Sequence, residues 1–510
     1  DTFSRELETE DEEWGYIPEE DSRWEFDYRA RYVLSRAGYT NTFIDESMAA
    51  CYQMEDMLIA AFDPQKYEDN AQYTMAELSG RCKAFPIAEV LRAYNVNSDS
   101  MIVTYIDILE KLGELYTEEN LSLLKGYLTA HIAAMACARL DFEAQAIAEG
   151  FYTYDYSDEA EPLSDEEILE ALNENARQLA ISPFGLTGVA LENAYITNYT
   201  EPEEKKDLMR LTLLIRDSFK ELLQNEPWMS QESRDNAVKK LEAMTFNIVS
   251  PDELIDASYL LMDKNETYLT ASMDAAMRKQ LHDNAYIGTE LDRNGNIYDI
   301  VPSSSTTITN SFNFQDFNRF FICGGIIGEG FYTKDMSEEE KLAAIGAVIG
   351  HEMTHGFDPD GVQYDSEGVY IATEDRPWGF FTEADHNVFK EKVSKMETYF
   401  NKIWPFPEAH CDGELLTGEA TADMGGIAIA LNIAKDIEGF DYDRYFRAYS
   451  NVWKSQGTYE NELWDMFDEH PLNYIRINAT LQQFDEFLDT YGIKEGDGMY
   501  LPLEERVKIW

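Results

Sequence analysis

The sequence predicts a mainly α-helical protein with two parts, an all-helical part over residues 1–270 and a mixed α+β part over residues 271–510. Apolar residues recur at helical spacing through most of the chain. β-Branched and aromatic residues in polar alternation, which are typical of strands, cluster near residues 285–335. A length of 510 residues also exceeds the usual domain size of about 100–200 residues. No period of about 20–50 residues repeats, which excludes solenoids and propellers.

The helices of the first part are predicted from apolar spacing and from capping residues. Ser164 followed by Glu167 forms a capping box, which marks the start of a further helix. Pro227 begins a turn that separates two of the predicted helices. The helices with clear apolar spacing are Ile102–Leu115, Leu121–Leu140, Leu208–Leu223 and Ser233–Met244.

The second part should begin with strands and continue into a long buried helix. Ile297–Val301 and Thr306–Phe314 have the composition of strands, and the Gly-rich segment Cys323–Gly330 follows them. Ser337 then caps an apolar helix that runs on to His355. The sequence therefore predicts a short sheet beside a buried helix.

The charge of the chain excludes some classes of function. It has 98 acidic against 41 basic residues and a net charge of −57. Acidic residues are concentrated in residues 1–30, which we expect to be either a solvated arm or a polar lead-in to the first helix. Such a chain repels nucleic acid and anionic lipid. Its apolar fraction of 44% is nevertheless sufficient for a large core. No run of about 18 apolar residues is present, so no transmembrane segment is predicted.

The five cysteines contain no CxxC pair, which argues against a thiolate zinc site. Cys51, Cys82 and Cys137 lie in apolar, helical stretches, so we expect these three to be buried free thiols, with one or two disulfides in the chain as the alternative. The chain opens on Asp1 without Met or an apolar signal region, so we expect a mature or trimmed product.

A metal-binding motif lies at the end of the long helix. His351 and His355 are four residues apart, so both imidazoles lie on one helix face and can bind one metal ion. Glu352 lies between them as a general base. A third His six residues after His355 would indicate a metzincin, but that position is Gly361, which excludes this class.

The third ligand is therefore expected on a later helix. Glu419 and Asp423 lie one turn apart on one face. Glu419 can bind the metal, while Asp423 can accept the outer N–H of a ligand His and fix its orientation. Apolar residues follow this pair, and a buried carboxylate without a cation would be costly.

These motifs together resemble the neprilysin-type zinc metallopeptidases, which include endothelin-converting enzymes and bacterial oligopeptidase O. Val348–Asp358 is similar to the zinc helix of that gluzincin family. Gly418-Glu419 with Ala422-Asp423 is similar to its third-ligand motif, and Asp468–Pro471 with Arg476 to its substrate-binding motif. The resemblance covers about residue 50 to residue 510. Asn310-Ser311-Phe312 stands where the family has an Asn-Ala-aromatic strand that holds the substrate backbone. The matches nearer the N-terminus, Trp228–Ser230 with Lys240 and Tyr73–Leu78, are weak individually.

The sequence departs from the family pattern in a few places. Ala420 and Thr421 replace the usual Asn-Ile of the third-ligand motif, and Ser311 replaces the Ala of the substrate strand. Ile477-Asn478-Ala479 replaces Val-Asn-Gly. These changes leave the ligands and the base in place, so they bear on the substrate preference.

The resemblance implies a role for each site residue. One zinc ion per chain would be held by His351, His355 and Glu419, with Glu352 as general base. His470 would donate to the oxyanion of the reaction. Asn310, Ser311 and Arg476 would bind the substrate backbone. Asp423 would orient His351, and Asp358 would support His355.

The resemblance also implies an architecture and a location. A thermolysin-like catalytic domain would face the helical domain across an enclosed central cavity, which would admit oligopeptides and favour cleavage on the amino side of bulky apolar residues. We expect an exported protein, extracellular or at the surface of a bacterial cell. The family begins with a further N-terminal segment that has no counterpart here, and we expect it to be cleaved, omitted or supplied by another chain.

Two other functions compete with a zinc endopeptidase. One is a catalytically silent surface protein that binds peptides on the same scaffold, and the other is a metal-free scaffold in which the motif is accidental. An inactive relative usually loses a ligand or the base, whereas all of these residues are present. The sequence therefore favours the enzyme.

Overall fold

A computed structural model describes residues 19–62, 71–152, 163–182, 185–289, 306–328, 330–373 and 376–510. The chain divides into two compact units. The first contains the described residues within Asp1–Ala190 and Asp256–Leu291, and the second those within Leu191–Ile255 and Asp292–Trp510. The expected division was 1–270 and 271–510. The units instead alternate along the chain, because the helices around residues 202–243 belong to the core of the second unit.

Helices dominate both units. In chain order, the described helices are α1 (Glu19–Arg36), α2 (Asn41–Ile59), α3 (Met75–Arg81), α4 (Ile87–Ala93), α5 (Ile106–Leu115), α6 (Leu121–Cys137), α7 (Phe142–Ala148), α8 (Asp165–Ile181), α9 (Gly188–Tyr199), α10 (Pro202–Asn225), α11 (Gln231–Ala243), α12 (Tyr268–Asn284), α13 (Glu338–Lys341), α14 (Ala347–His355), α15 (Glu383–Phe400), α16 (Gly413–Ala434), α17 (Tyr442–Val452), α18 (Tyr459–Trp464), α19 (Asn473–Leu481) and α20 (Asp485–Tyr491). The strands are β1 (Gln72–Thr74), β2 (Ser100–Ile102), β3 (Thr245–Val249), β4 (Ser311–Phe314) and β5 (Arg319–Cys323).

The first unit is built on the packing of α1, α2 and α6. Small or flexible apolar side chains, among them Ala30, Met48 and Ala130, are fully buried where these helices meet. Strands β1 and β2 form a short antiparallel pair in which Gln72 lies opposite Ile102. None of the described helices is long and apolar enough by itself to cross a membrane, although α6 and α7, which meet at a sharp bend, satisfy the length and composition together.

The second unit has one continuous core around α10, α14 and α16. A three-stranded sheet with the order β3-β5-β4 lies beside α14. Strand β5 pairs in parallel with β3 and antiparallel with β4, so among the described strands β4 lies at an edge of the sheet. All five residues of β5 are buried. The sheet and α14 together place the residues of the candidate site.

Most predicted helices are present, with shifted ends. The capping boxes at Ser164 and Ser337 both form. The helix predicted from Ile102 begins at Ile106, because Ser100–Ile102 pair with β1 as a strand. The predicted strand Ile297–Val301 lies outside the described residues, and β4 covers only the last four residues of the second predicted strand. All five cysteines are buried and free, which confirms the prediction for Cys51, Cys82 and Cys137.

The long helix that leads to His351 and His355 is interrupted by a π-helical turn at Leu342–Gly346. Within this turn the backbone N–H of Ile345 donates to the carbonyl of Phe331, at 3.1 Å, rather than along the helix. A backbone donor directed out of the helix is compatible with the wider π turn. The helix then resumes its α form at Ala347, just before the motif.

Candidate metal centre

Helix α14 places three of the predicted site residues on one buried segment. His351 and Glu352 are 7% and 4% exposed, and His355 is half-buried. The side chains of His351 and His355 lie one turn apart on the same face, with their ring centres 4.5 Å apart.

Each imidazole is held by a carboxylate on its outer nitrogen. Nδ1 of His351 lies 2.9 Å from Oδ1 of Asp423, and Nδ1 of His355 lies 2.7 Å from Oδ2 of Asp358. Because a carboxylate accepts hydrogen bonds, each Nδ1 carries the proton and each Nε2 of the neutral ring presents a lone pair. These two Nε2 atoms face each other at 2.9 Å. Two facing lone pairs require a proton or a cation between them.

Glu419 from α16 completes the set of ligand atoms. Its Oε2 lies 3.3 Å from Nε2 of His351, and its Oε1 lies 3.3 Å from Nε2 of His355. One atom from each of the three residues lies within 4.8 Å of the other two. Two imidazole nitrogens and one carboxylate oxygen form the donor set of a catalytic zinc site, which leaves a fourth position for water. The residues therefore fit a zinc ion.

The electrostatics favour positive charge between the imidazoles. Burial alone would raise the pKa of Glu419, but the two histidines outweigh it and lower that pKa. Burial alone would lower the pKa of His351, but Glu419 and Asp423 raise it. Burial alone would also lower the pKa of His355, but Asp358 and Glu419 raise that pKa well above its usual value. The carboxylates thus stabilise a cation at the place where the metal would bind.

Glycines bring α16 close enough to α14 for Glu419 to meet the histidines. A Cβ atom on Gly350 would lie 2.8 Å from the Cα atom of Gly426, and one on Gly426 would lie 2.4 Å from the carbonyl oxygen of Ala347. Neither position has room for a larger residue at this helix crossing.

Asp423 and Asp358 each accept further hydrogen bonds besides the one from a histidine. Arg476 donates to Asp423 from Nε at 2.7 Å and from Nη2 at 2.8 Å. Burial alone would raise the pKa of Asp423, but Arg476 and His351 lower it. Asp358 accepts the backbone N–H groups of Asp360 and Gly361 at 2.9 and 2.6 Å. Both carboxylates therefore hold their imidazoles from fixed positions.

Arg476, which the resemblance predicts to bind substrate, donates hydrogen bonds to Asp423 from two of its nitrogens. Its guanidinium is buried and also lies over the ring of Trp453, 3.8 Å from the ring centre. This geometry is that of a bidentate, stacked arginine. The sequence did not indicate Trp453, because nothing in its neighbourhood resembles a binding motif.

His470 also reaches the site. Its Nε2 lies 3.1 Å from Oε2 of Glu419, and Asp468 lies 2.6 Å from its Nδ1. The side chain is 46% exposed, so it can contact a bound molecule.

The predicted substrate strand lies beside Glu352. The hydroxyl of Ser311 donates to Oε1 of Glu352 at 2.6 Å, so the structure directs this side chain at the predicted base. Asn310 is exposed, and its Oδ1 accepts the backbone N–H of Ser311 at 2.9 Å. Asn313, which the sequence analysis missed, donates from Nδ2 to the backbone oxygen of Glu352 at 2.6 Å. The alternation of side chains along a strand could have indicated it, since it is two residues after Ser311.

Lys240, which matches a landmark of the family, has a structural role in the second unit. Lys240 is fully buried in α11 and donates to the carbonyls of Gly361 and Tyr364, at 2.5 and 2.9 Å. Gly361 also donates to Asp358. Lys240 therefore holds the loop that follows the second imidazole.

The chain matches two sequence profiles that both carry the description "Peptidase family M13". One matches residues 18–251 and the other residues 310–507. The matched residues together include every residue of the candidate site.

Curated relatives carry names of endopeptidases. A neutral endopeptidase of Lactococcus lactis subsp. cremoris is 28% identical over 415 residues, covering 81% of this chain and 62% of that protein. Neprilysin-11 of Caenorhabditis elegans is 23% identical over 420 residues, covering 78% of this chain and 46% of that protein. The chain thus spans less than two thirds of the length of these relatives.

Solved structures show the same fold. The crystal structure of PEPO from Lactobacillus rhamnosis HN001 (DR20) has a TM-score of 0.68 at 20% identity, covering 97% of this chain and 76% of that one. The open state of the Mycobacterium tuberculosis zinc metalloprotease ZMP1 has a TM-score of 0.75 at 20% identity, covering 95% and 75%. These likenesses confirm the predicted mainly helical, neprilysin-like fold class. The two profile matches show that the chain belongs to peptidase family M13.

Proposed function

We propose that this chain is a zinc-dependent endopeptidase that hydrolyses oligopeptides on the amino side of bulky apolar residues. One observation supports the proposal above all others. The imidazoles of buried His351 and half-buried His355 direct their Nε2 lone pairs at one point beside the carboxylate of Glu419, with Glu352 next to them on α14. The names of the relatives, neutral endopeptidase and zinc metalloprotease, agree with it.

His351, His355 and Glu419 would hold the zinc ion, one per chain. Zinc bound there would supply Lewis acidity toward an attacking water and the peptide carbonyl. Asp423 and Asp358 keep both imidazoles in the tautomer that offers Nε2 to the metal.

Glu352 would act as general base and then as general acid. Its carboxylate would accept a proton from the attacking water and deliver it to the leaving nitrogen of the cleaved bond. His470 would donate to the oxyanion that forms on the substrate carbonyl, since its ring is exposed and lies beside Glu419.

Arg476 and Asn310 would bind the backbone of the peptide. Asp423 takes Nε and Nη2 of Arg476. This leaves Nη1 as the donor for a substrate carbonyl. The exposed amide of Asn310 can both donate and accept. We further propose that the protein works outside the cell or at its surface, where its acidic exterior keeps it soluble.

Metal analysis combined with peptide hydrolysis tests the proposal. The purified chain should contain one zinc ion and cleave quenched fluorescent peptides before a bulky apolar residue, with cut sites read by mass spectrometry. A chelator should abolish turnover, and added zinc should restore it. Peptide binding without hydrolysis by the zinc-loaded chain would instead support a catalytically silent peptide-binding protein.

A further inference from the structure

Strand β4 makes two hydrogen bonds to the same residue of the zinc-binding helix. Ser311 donates its hydroxyl to Oε1 of Glu352, and Asn313 donates its side-chain amide to the backbone oxygen of Glu352, both at 2.6 Å. Ser311 and Asn313 are two positions apart, so their side chains leave the strand on the same face. One strand face is therefore bonded to both the side chain and the backbone of the predicted base.

The rest of the sheet fixes this face. Ser311 and Asn313 lie opposite Ile322 and Phe320 of the fully buried strand β5. Phe312 and Phe314, which alternate with these two residues along the strand, contact each other with ring centres 6.3 Å apart. A strand held in this way cannot rotate its polar face away from α14, because a change of face would need a slip in register.

The hydrogen bond from Ser311 makes the two carboxylate oxygens of Glu352 inequivalent, because only Oε1 accepts it. Within the described part of the chain, the hydroxyl of Ser311 is the one hydrogen-bond donor to this carboxylate. With Oε1 engaged, Oε2 is the oxygen that would accept a proton from the attacking water. Asn313 fixes the backbone oxygen near the end of α14, so the starting point of the side chain is fixed as well.

We propose that Ser311 and Asn313 are positioning residues that hold Glu352 in the orientation needed for proton transfer. This proposal rests on the proposed peptidase function and assigns Ser311 to the base rather than to the substrate backbone. Both residues act through Glu352. Their loss should therefore lower kcat and leave KM and zinc content unchanged.

Variants of the full chain at position 311 test the carboxylate contact. Ser311→Ala should lower kcat about tenfold, a part of the full contribution of a general base, with KM changed less than about twofold. Ser311→Thr and Ser311→Val form a matched pair, because their side chains have nearly the same shape and only Thr keeps the hydroxyl. Thr should retain most of the wild-type kcat, whereas Val should resemble Ala. This pair decides the question even if the smaller Ala side chain disturbs the strand.

A double-mutant cycle separates positioning from a general structural role. In a Glu352→Gln background, Ser311→Ala should change the residual rate less than about twofold, because the group it acts through is already lost. Asn313→Ala should lower kcat by a few fold in the wild-type background and should change the residual rate less than about twofold in the Glu352→Gln background.

Several results would overturn the inference. An unchanged kcat in Ser311→Ala, equal rates for the Thr and Val variants, or a full tenfold loss in the Gln background would each exclude positioning by Ser311. An unchanged kcat in Asn313→Ala would exclude the role of the amide. If the zinc-loaded wild type hydrolyses no peptide, the proposed function itself is wrong, which is a different result from an active wild type with indifferent variants.

Discussion

Buried charged side chains beside the metal centre form a series of contacts that extends away from the ligands. His351 contacts Asp423, Asp423 is bonded twice by Arg476, and Arg476 stacks on Trp453. Removing one partner of a buried pair leaves an uncompensated charge, which costs about 3–5 kcal/mol. We infer that Asp423 and Arg476 are as necessary to the centre as the ligands, because they hold the ring of His351 in place with its proton on Nδ1.

Lys240 gives a pH-dependent prediction at the scale of one residue. Burial lowers its pKa to about 7, although Asp358 and Asp365 oppose the shift. The unfolded chain keeps a pKa of about 10.4 for lysine. Between these values the unfolded state binds a proton that the folded state lacks, so this group makes the free energy of unfolding rise with pH. Below about pH 7 both states are protonated and the contribution to the slope disappears.

This effect is measured by urea unfolding of the wild type and of Lys240→Met. The pH values of about 6, 7, 8 and 9 lie on both sides of the folded-state pKa of Lys240. The stability of the wild type relative to the variant should rise by about 1 kcal/mol per pH unit above pH 7 and stay level below it. Lys239→Met, at the exposed neighbour on α11, is the control and should run parallel to the wild type. Parallel curves for Lys240→Met as well would contradict the assignment.

Much of the site could be predicted from the sequence because its ligands follow local rules. The spacing of His351 and His355 fixes their common helix face, and the outer partner Asp423 is one turn from Glu419. Contacts that join distant segments could not be predicted. The bond from Asn313 to the backbone of Glu352 and the stacking of Trp453 on Arg476 depend on tertiary packing, which leaves no periodic pattern in the sequence.

At the scale of elements, the metal centre depends on the close crossing of α14 and α16. Gly350 and Gly426 meet with backbone atoms in contact, and the ligands come from both helices. A change in the distance between the helices would therefore move Glu419 away from the imidazoles.

Gly426→Ala should weaken both stability and zinc binding. Its Cβ would lie 2.4 Å from the carbonyl oxygen of Ala347, so the helices must separate. We expect a loss of about 1–3 kcal/mol of stability, the usual cost of overpacking, and a lower zinc affinity in competition with a chelator. Gly418→Ala on the same helix is the control, because the nearest atom to its Cβ would be 3.9 Å away. Equal stability and zinc affinity in the two variants would show that the crossing is not tight.

Elements were predicted well where capping and periodicity agree. The capping boxes at Ser164 and Ser337 form as expected. Strand β5 was missed because its five residues are all buried, which removes the polar alternation that marks a half-buried strand. The π-helical turn at Leu342–Gly346 was missed because the N–H of Ile345 bonds to Phe331, outside the helix. Such a contact changes no residue type that a sequence pattern could detect.

At the scale of the whole molecule, the net charge of −57 should influence which peptides arrive at the site. The value of kcat/KM for a cationic peptide should fall as salt is raised, because screening weakens long-range attraction. For an anionic peptide of the same length it should rise, and a neutral peptide serves as the control. An identical response of all three peptides to added salt would exclude electrostatic steering.

The central claim is that Glu352 acts as the base beside a zinc ion held by His351, His355 and Glu419. The most direct test compares the wild type with Glu352→Gln, which keeps the size of the side chain and removes its basicity. Both proteins should contain one zinc ion, while kcat in the variant should fall by about 10²–10⁴-fold. Turnover equal to that of the wild type, or a wild type without stoichiometric zinc, would contradict the claim.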